Sequence, residues 1–164
     1  MKATLALTIL FIVTSIHSSA QLKGFSIGPY IETARPTGHF EETHKNGLGI
    51  GLNADIRLGK WGLTGSAGYM HFSGKTITNS EGTKHDPDIN AIPIRAGLKY
   101  RLVPIIYVKL EGGVANYTNG NGSAVIVSPG IGLRVLGLDV QAKYEAWVDN
   151  GTNSFWGLKV GYNF

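Results

Sequence analysis

The sequence predicts an all-β fold, an eight-stranded antiparallel up-and-down transmembrane β-barrel, and three observations carry that expectation. From Gly24 onward apolar residues recur at every second position, the period of a strand with two unlike faces. The alternating segments number eight, each of 11 to 13 residues. That suits a tilted strand, which needs ~9–11 residues to cross hydrocarbon, and exceeds the ~5–6 of an ordinary sheet. The connections alternate between short and long, so the long loops gather at one end, as in barrels that turn tightly on one side of a membrane and loop out on the other.

The first segment, 24–34, puts Phe25, Ile27 and Ile31 on one face and Glu32 on the other. A polar stretch at 35–46 leads to 47–58, where Leu48, Ile50, Leu52 and Ile56 alternate with glycines, Asp55 and Arg57. Gly59-Lys60 makes a tight turn into 61–72, with Trp61, Leu63 and Tyr69 on the apolar face. After a long connection at 73–89, segment 90–102 sets Ile92, Ile94, Leu98 and Tyr100 against Arg95, Lys99 and Arg101. Val103-Pro104 turns into 105–117, with Ile106, Val108 and Leu110 opposed to Lys109 and Glu111. The connection 118–123 precedes 124–136, with Val125, Val127, Ile131 and Leu133 against Arg134. Gly137 joins it to 138–148, where Leu138, Val140 and Tyr144 oppose Asp139, Lys143 and Glu145. The last segment, 154–164 after a loop at 149–153, sets Trp156, Leu158, Val160, Tyr162 and Phe164 against Lys159. Pro29, Pro93 and Pro129 fall inside these segments, where each removes a ladder donor, so bulges or register shifts are expected beside them.

Period 2 does not say which face points outward, and a soluble periplasmic lipocalin-like barrel binding an apolar ligand would have the same rhythm inverted. Glycine placement favours the membrane form. Gly24, Gly28, Gly47, Gly49, Gly51, Gly62, Gly68, Gly97, Gly113, Gly130, Gly132, Gly157 and Gly161 share the polar face, with only Gly65 and Gly112 among the apolar positions. A narrow lumen accepts charged side chains only beside small neighbours, whereas a water-facing strand has no such need. The aromatics add a second sign: Phe25, Trp61, Tyr100, Tyr162 and Phe164 fall toward the short-turn ends, and Tyr69 and Trp156 toward the long-loop ends, like two interfacial girdles.

The inward set is then Glu32, Asp55, Arg57, Arg95, Lys99, Arg101, Lys109, Glu111, Arg134, Asp139, Lys143, Glu145 and Lys159. Unpaired, such charges would be costly, so an ion network plugging the lumen is expected. The alternative, a selective anion path along Arg57, Arg95, Lys99 and Arg134, conflicts with the small bore of eight strands.

Residues 1–20 read as a secretory signal: Lys2, a short apolar core from Ala3, and the small residues Ser-Ser-Ala ending at Ala20. The barrel domain then occupies 21–164. Without Lys2 there are 14 Lys and Arg against 11 Asp and Glu, and no block of like charge that would suit nucleic acid. With no cysteine there is no disulfide framework and no thiolate chemistry.

The closing Trp-Gly-Leu-Lys-Val-Gly-Tyr-Asn-Phe resembles the last strand of Gram-negative outer-membrane proteins, and the whole pattern resembles the small OmpA/OmpX-like eight-stranded barrels. The resemblance implies a place in the bacterial outer membrane after export through the periplasm. It also implies contact with outer-membrane lipid and lipopolysaccharide, and recognition of Phe164, with Tyr162, Val160 and Leu158, by the barrel assembly machinery. A non-enzymatic, structural or surface-interaction role follows, exercised through the loops at 35–46 and 73–89 and needing no cofactor.

Four features are set beside plainer readings. His71 and Ser73 share a strand face, as a base and its nucleophile must. They resemble the His-x-Ser element of outer-membrane lipid A deacylases, but sit after the third strand, with Glu81 as the nearest loop acid; an interfacial His and a turn Ser is the plainer reading. His39, Glu41, Glu42 and His44 match no metal-ligand spacing and read as a solvated loop. Asp86 and Asp88 flank Pro87 as turn chemistry. The sequons at Asn116, Asn121 and Asn150 mark polar loops.

Overall fold

The computed structural model describes residues 24–79, 82–120 and 122–164, with side chains described outside 77–85 as well. The expected export segment, 1–20, and Glu81 lie outside these described parts. Eight strands close into a barrel: β1 (Phe25–Thr37), β2 (His44–Leu58), β3 (Trp61–Gly74), β6 (Ile89–Arg101), β7 (Ile106–Tyr117), β8 (Ser123–Val135), β9 (Leu138–Val148) and β10 (Thr152–Tyr162). Each pairs antiparallel with its neighbours in the chain, and β1 pairs with β10 to complete the ring. Closure leaves no unpaired edge, the condition for a sheet in lipid.

The external ends depart from the expected boundaries. The stretch read as a loop at 35–46 is half strand, since β1 runs on to Thr37 and β2 starts at His44; Gly38 and a short helix, α1 (His39–Thr43), lie between. The loop at 73–89 contains a separate hairpin, β4 (Thr76–Asn79) with β5 (Gly82–His85). Turns at the other end are tight, with Gly59 and Gly137 at positive φ and Leu136 beside Gly137 also left-handed.

The expectation of bulges at the prolines is corrected. β1 and β2 keep one register through Pro29↔Leu52, and β7 and β8 through Leu110↔Pro129. The interruption appears on the other side of each proline as missing rungs with no slip. The β1–β10 ladder stops at Tyr30↔Gly161, β3–β6 skips from Ala67↔Ile94 to Met70↔Ala91, and β8–β9 from Val127↔Ala146 to Gly130↔Lys143. A missing N–H forfeits one rung; the partners on both sides hold the strand in place.

The apolar face points outward on every strand. Ile31, Leu48 and Ile50 are 63%, 65% and 63% exposed, while Glu32, Glu145 and Arg95 are buried. This inversion overturns the soluble apolar-cavity alternative, since the interior is the polar side. The inward glycines make room for aromatic rings as well as charges. A Cβ on Gly47 would strike the Phe72 ring, and one on Gly51 would lie 2.6 Å from the Tyr30 hydroxyl.

Candidate functional site

Inward side chains line the lumen in layers. At the external end Phe40, Phe72, Trp147 and Phe155 pack together, with Phe72 centred 5.8 Å from Trp147 and 5.4 Å from Phe155 and Phe40 5.0 Å from Phe72. α1 supplies Phe40, and this short helix lies across the mouth between β1 and β2. Edge-on ring contacts of this kind add to simple burial.

Below the rings lies a four-membered ion cluster. Glu145 accepts from Arg95 Nη2 at 2.7 Å, from Lys143 Nζ at 2.6 Å and from Trp147 Nε1 at 2.6 Å. Glu32 pairs with Lys143 at 2.6 Å and with Arg95 at 3.6 Å. Nearer the periplasmic end, Lys99 pairs with Asp55 at 3.0 Å and Asp139 at 3.7 Å, and Arg134 bridges the same two carboxylates. Tyr107 donates to Asp139, and Lys109 pairs with Glu111 at 3.0 Å. Lys159 differs: its Nζ makes no hydrogen bond with the described residues and lies 3.7 Å from the centre of the Tyr30 ring.

Two members of the expected lumen set are placed otherwise. Arg57 is exposed and Arg101 half-exposed; with Lys60 and Trp61 they rim a vestibule of about 330 Å³ at the periplasmic mouth. Both stand at strand ends, where an inward side chain reaches solvent past the last rung. The inward aromatics were missed by reasoning that followed charge. Their signal was present in the alternation itself, because Trp147 continues the face of Lys143 and Glu145, and Phe155 that of Gly157 and Lys159.

The outward aromatics pair along the outer face of the barrel. Trp61 packs on Tyr100 at 4.8 Å and Tyr162 on Phe164 at 5.1 Å at the periplasmic end, and Trp156 packs on Tyr144 at 5.2 Å. Phe25 is 42% exposed and Phe164 48%. Phe164 donates its backbone N–H to Ile27 O at 2.9 Å, continuing the β1–β10 alignment beyond the last paired residue.

At the external rim of β3, His71 and Ser73 face outward beside Tyr69. His71 Nε2 lies 3.1 Å from Ser73 Oγ and its Nδ1 2.6 Å from Asn90 Oδ1, to which the Tyr69 hydroxyl donates at 2.8 Å. The structure thus brings Asn90, which sequence reasoning did not single out, to the third position. Of the loop residues considered as metal ligands, His39 meets Glu42 at 3.1 Å in an exposed pair. His44 turns inward, its ring nitrogens engaged by Thr43 Oγ1 and Pro87 O.

Comparison places this architecture. The outer membrane protein beta-barrel domain family matches residues 3–164. Designed transmembrane β-barrels superpose with a TM-score of 0.57 at 16% identity, covering 89% of this chain and 100% of theirs. Ail of Yersinia pestis, determined in a phospholipid bilayer nanodisc, gives 0.56 at 17% identity over 87% of this chain and 100% of that one. Ail in complex with the heparin analogue sucrose octasulfate gives 0.52 at 19% identity, with coverages of 86% and 97%. No curated protein matches the sequence. These likenesses share the closed fold, and the family match spans nearly the whole chain. The chain therefore belongs to the outer membrane protein β-barrel domain family, and its place is the outer membrane of a Gram-negative bacterium.

Proposed function

We propose that the protein is a sealed, structural barrel whose working surface is its external rim and loops. The observation that carries this reading is the filled lumen: Arg95, Glu32 and Glu145 have fully buried side chains locked to one another beneath four aromatic residues packed edge to face. Eight strands enclose a bore that such side chains fill, so the interior supports the wall and conducts nothing. The lumen charges hold the barrel together and take no part in transport or chemistry.

The external rim supports contact with lipopolysaccharide. Arg35, Lys45 and Lys75, with Asn46 and Glu41, line a recess of about 350 Å³ there, and clustered cations of this kind suit phosphate groups. Ail, a barrel of the same fold, was determined in complex with the heparin analogue sucrose octasulfate, a polyanion, which agrees with an anionic ligand for this fold. At the other end Phe164 serves as the assembly signal, read by the barrel assembly machinery while the last strand is still unpaired. Residues 1–20 direct export.

The test is electrical. The protein refolded into a planar bilayer is expected to give no discrete openings, while lipopolysaccharide remains bound through purification and is lost on charge reversal at Arg35 and Lys45. Anion-selective steps in the unaltered protein would instead restore the path along Arg57, Arg95, Lys99 and Arg134.

A further inference from the structure

The lumen explains the inward polar residues, but it gives no role to the outward His71, Ser73 and Asn90, which cluster with Tyr69. These side chains sit on the lipid side of the wall. His71 stands opposite Leu48 on β2 and Asn90 on β6, and the apolar residues around it, Leu48 and Ile92, are 65% and 42% exposed. Tyr69, one outward step below, belongs to the external aromatic girdle, so His71 and Ser73 lie at or just above the interface. That is the depth at which a membrane lipid carries its acyl esters.

The hydrogen bonds fix the roles. Asn90 Oδ1 is an acceptor only, so at 2.6 Å the His71 Nδ1 must carry the proton; the Tyr69 hydroxyl donates to the same oxygen at 2.8 Å and holds the amide in that orientation. His71 Nε2 is therefore the lone-pair nitrogen, and it lies 3.1 Å from Ser73 Oγ, within reach of the hydroxyl proton. A nucleophile, a base in the correct tautomer and a third group orienting the base are what serine acyl transfer requires. From this geometry we propose that Ser73, His71 and Asn90 form an ester-hydrolysing site on the outer face of the barrel, acting on acyl esters of lipids in the surrounding leaflet. The proposal goes beyond the sealed-barrel reading and uses no lumen residue.

The chemistry balances with water as the second substrate. Ser73 Oγ forms a bond to the ester carbonyl carbon as its proton passes to His71 Nε2. The tetrahedral adduct collapses, the ester C–O bond breaks, and the leaving alkoxide takes that proton and departs as an alcohol. Water, deprotonated by Nε2, then attacks the acyl-Ser73 carbonyl, and collapse returns the proton to Ser73 Oγ and releases the fatty acid. Asn90 is a positioning residue, acting through the imidazole. The adjacent backbone donors are already engaged, Gly74 N–H by Asp88 Oδ1 at 2.8 Å and Lys75 N–H by Thr43 O at 2.8 Å. A missing oxyanion donor costs roughly 10²–10³ in rate, so turnover is expected to be slow and covalent capture the more sensitive readout.

The full chain, refolded in detergent micelles, is treated with a long-chain alkyl fluorophosphonate and mapped by mass spectrometry. In parallel it is incubated with phosphatidylethanolamine in one arm and lipid A in the other, and the released fatty acid identifies which lipid supplies the ester. The expected result is modification at Ser73, absent in Ser73→Ala and slowed on the order of 10²-fold or more in His71→Ala, with the heat-dependent gel shift of a folded barrel unchanged in both. The groups facing His71 are Leu48 from β2, Asn90 from β6 and Tyr69 and Ser73 from its own strand. Asn90→Asp therefore places a carboxylate against the imidazole, and it is expected to keep labelling while moving the acidic limb of the pH–rate profile to higher pH; Asn90→Leu slows labelling about tenfold or more. A folded wild-type barrel that is neither labelled at Ser73 nor releases acid above the Ser73→Ala level overturns the proposal. Channel openings in the bilayer experiment would overturn the sealed-lumen reading and leave these outcomes unaltered.

Discussion

Glu145 is the residue on which the proposed sealing of the lumen depends most, and its replacement gives a measurable consequence. It accepts three hydrogen bonds, from Arg95, Lys143 and Trp147, and its side chain is fully buried. In Glu145→Leu, Arg95 keeps Glu32 at 3.6 Å and the weak acceptor Met70 Sδ at 3.4 Å, Lys143 keeps Glu32 at 2.6 Å as its carboxylate partner among the described residues, and the indole N–H loses its acceptor. Breaking a buried ion pair from one side costs about 3–5 kcal/mol, and an orphaned buried N–H about 1–3 kcal/mol, so the barrel should lose about 4–8 kcal/mol of stability. Glu145→Gln retains an acceptor oxygen for Trp147 and should lose less. The assay is reversible urea unfolding in micelles, followed by tryptophan fluorescence and by gel mobility of unheated samples. A loss below about 1 kcal/mol for Glu145→Leu would mean that water already screens the cluster. The filled-lumen argument would then fail with it.

Three further outcomes follow from the same geometry. Lys159→Met removes a buried cation that has no hydrogen-bond partner among the described residues; stability in the same urea assay should be unchanged or higher, by up to ~1–4 kcal/mol. Ile50, 63% exposed near the middle of β2, faces the hydrocarbon, whereas Leu58 ends that strand. Ile50→Arg should therefore cost about 2–4 kcal/mol and Leu58→Arg about 0–1 kcal/mol, and equal costs would contradict the assigned membrane depth. Gly113→Ala directs a Cβ against the Ile94 carbonyl across the β6–β7 ladder, so its yield of heat-shifted folded barrel should fall sharply, while Gly112→Ala on the outer face should fold as well as the parent.

The wall was legible from sequence because lipid imposes its period on every strand. The apolar positions from Phe25 to Phe164 point outward with no strand inverted, and even the segments holding Pro29, Pro93 and Pro129 keep their phase. Sequence reasoning went astray at those prolines by treating a lost donor as a lost register. Two flanking strands fix each residue, so one missing rung is not enough to slip it. The rim was less legible, for a different reason. His71 meets Asn90 only because β3 pairs with β6 across an intervening hairpin, and no local period specifies how many residues that excursion takes. Glu81 is the loop acid nearest to His71 along the chain; the partner seen beside His71, Asn90, is set by register.

The glycines, the aromatics and the charges of the lumen are one problem solved together. A soluble core is apolar and can be packed from many residue combinations, but here the apolar side faces lipid and the enclosed side must hold Arg95, Lys143, Glu32 and Glu145 away from water. Those side chains are long, and the Phe72 and Tyr30 rings that lie across Gly47, Gly51 and Gly68 occupy the space a Cβ would take. Larger residues at these glycines would push the rings toward the ion cluster, while smaller ones at Phe72 or Trp147 would admit water to it from the external end. Water there would weaken each pairing by raising the local dielectric. The proposed barrier to conduction and the stability of the barrel therefore rest on the same contacts, and a substitution that opens one should loosen the other. If the aromatic lid and the ion cluster are coupled in this way, Phe72→Ala and Glu145→Gln combined should cost less than the two singly, because the first already wets the carboxylate that the second neutralises.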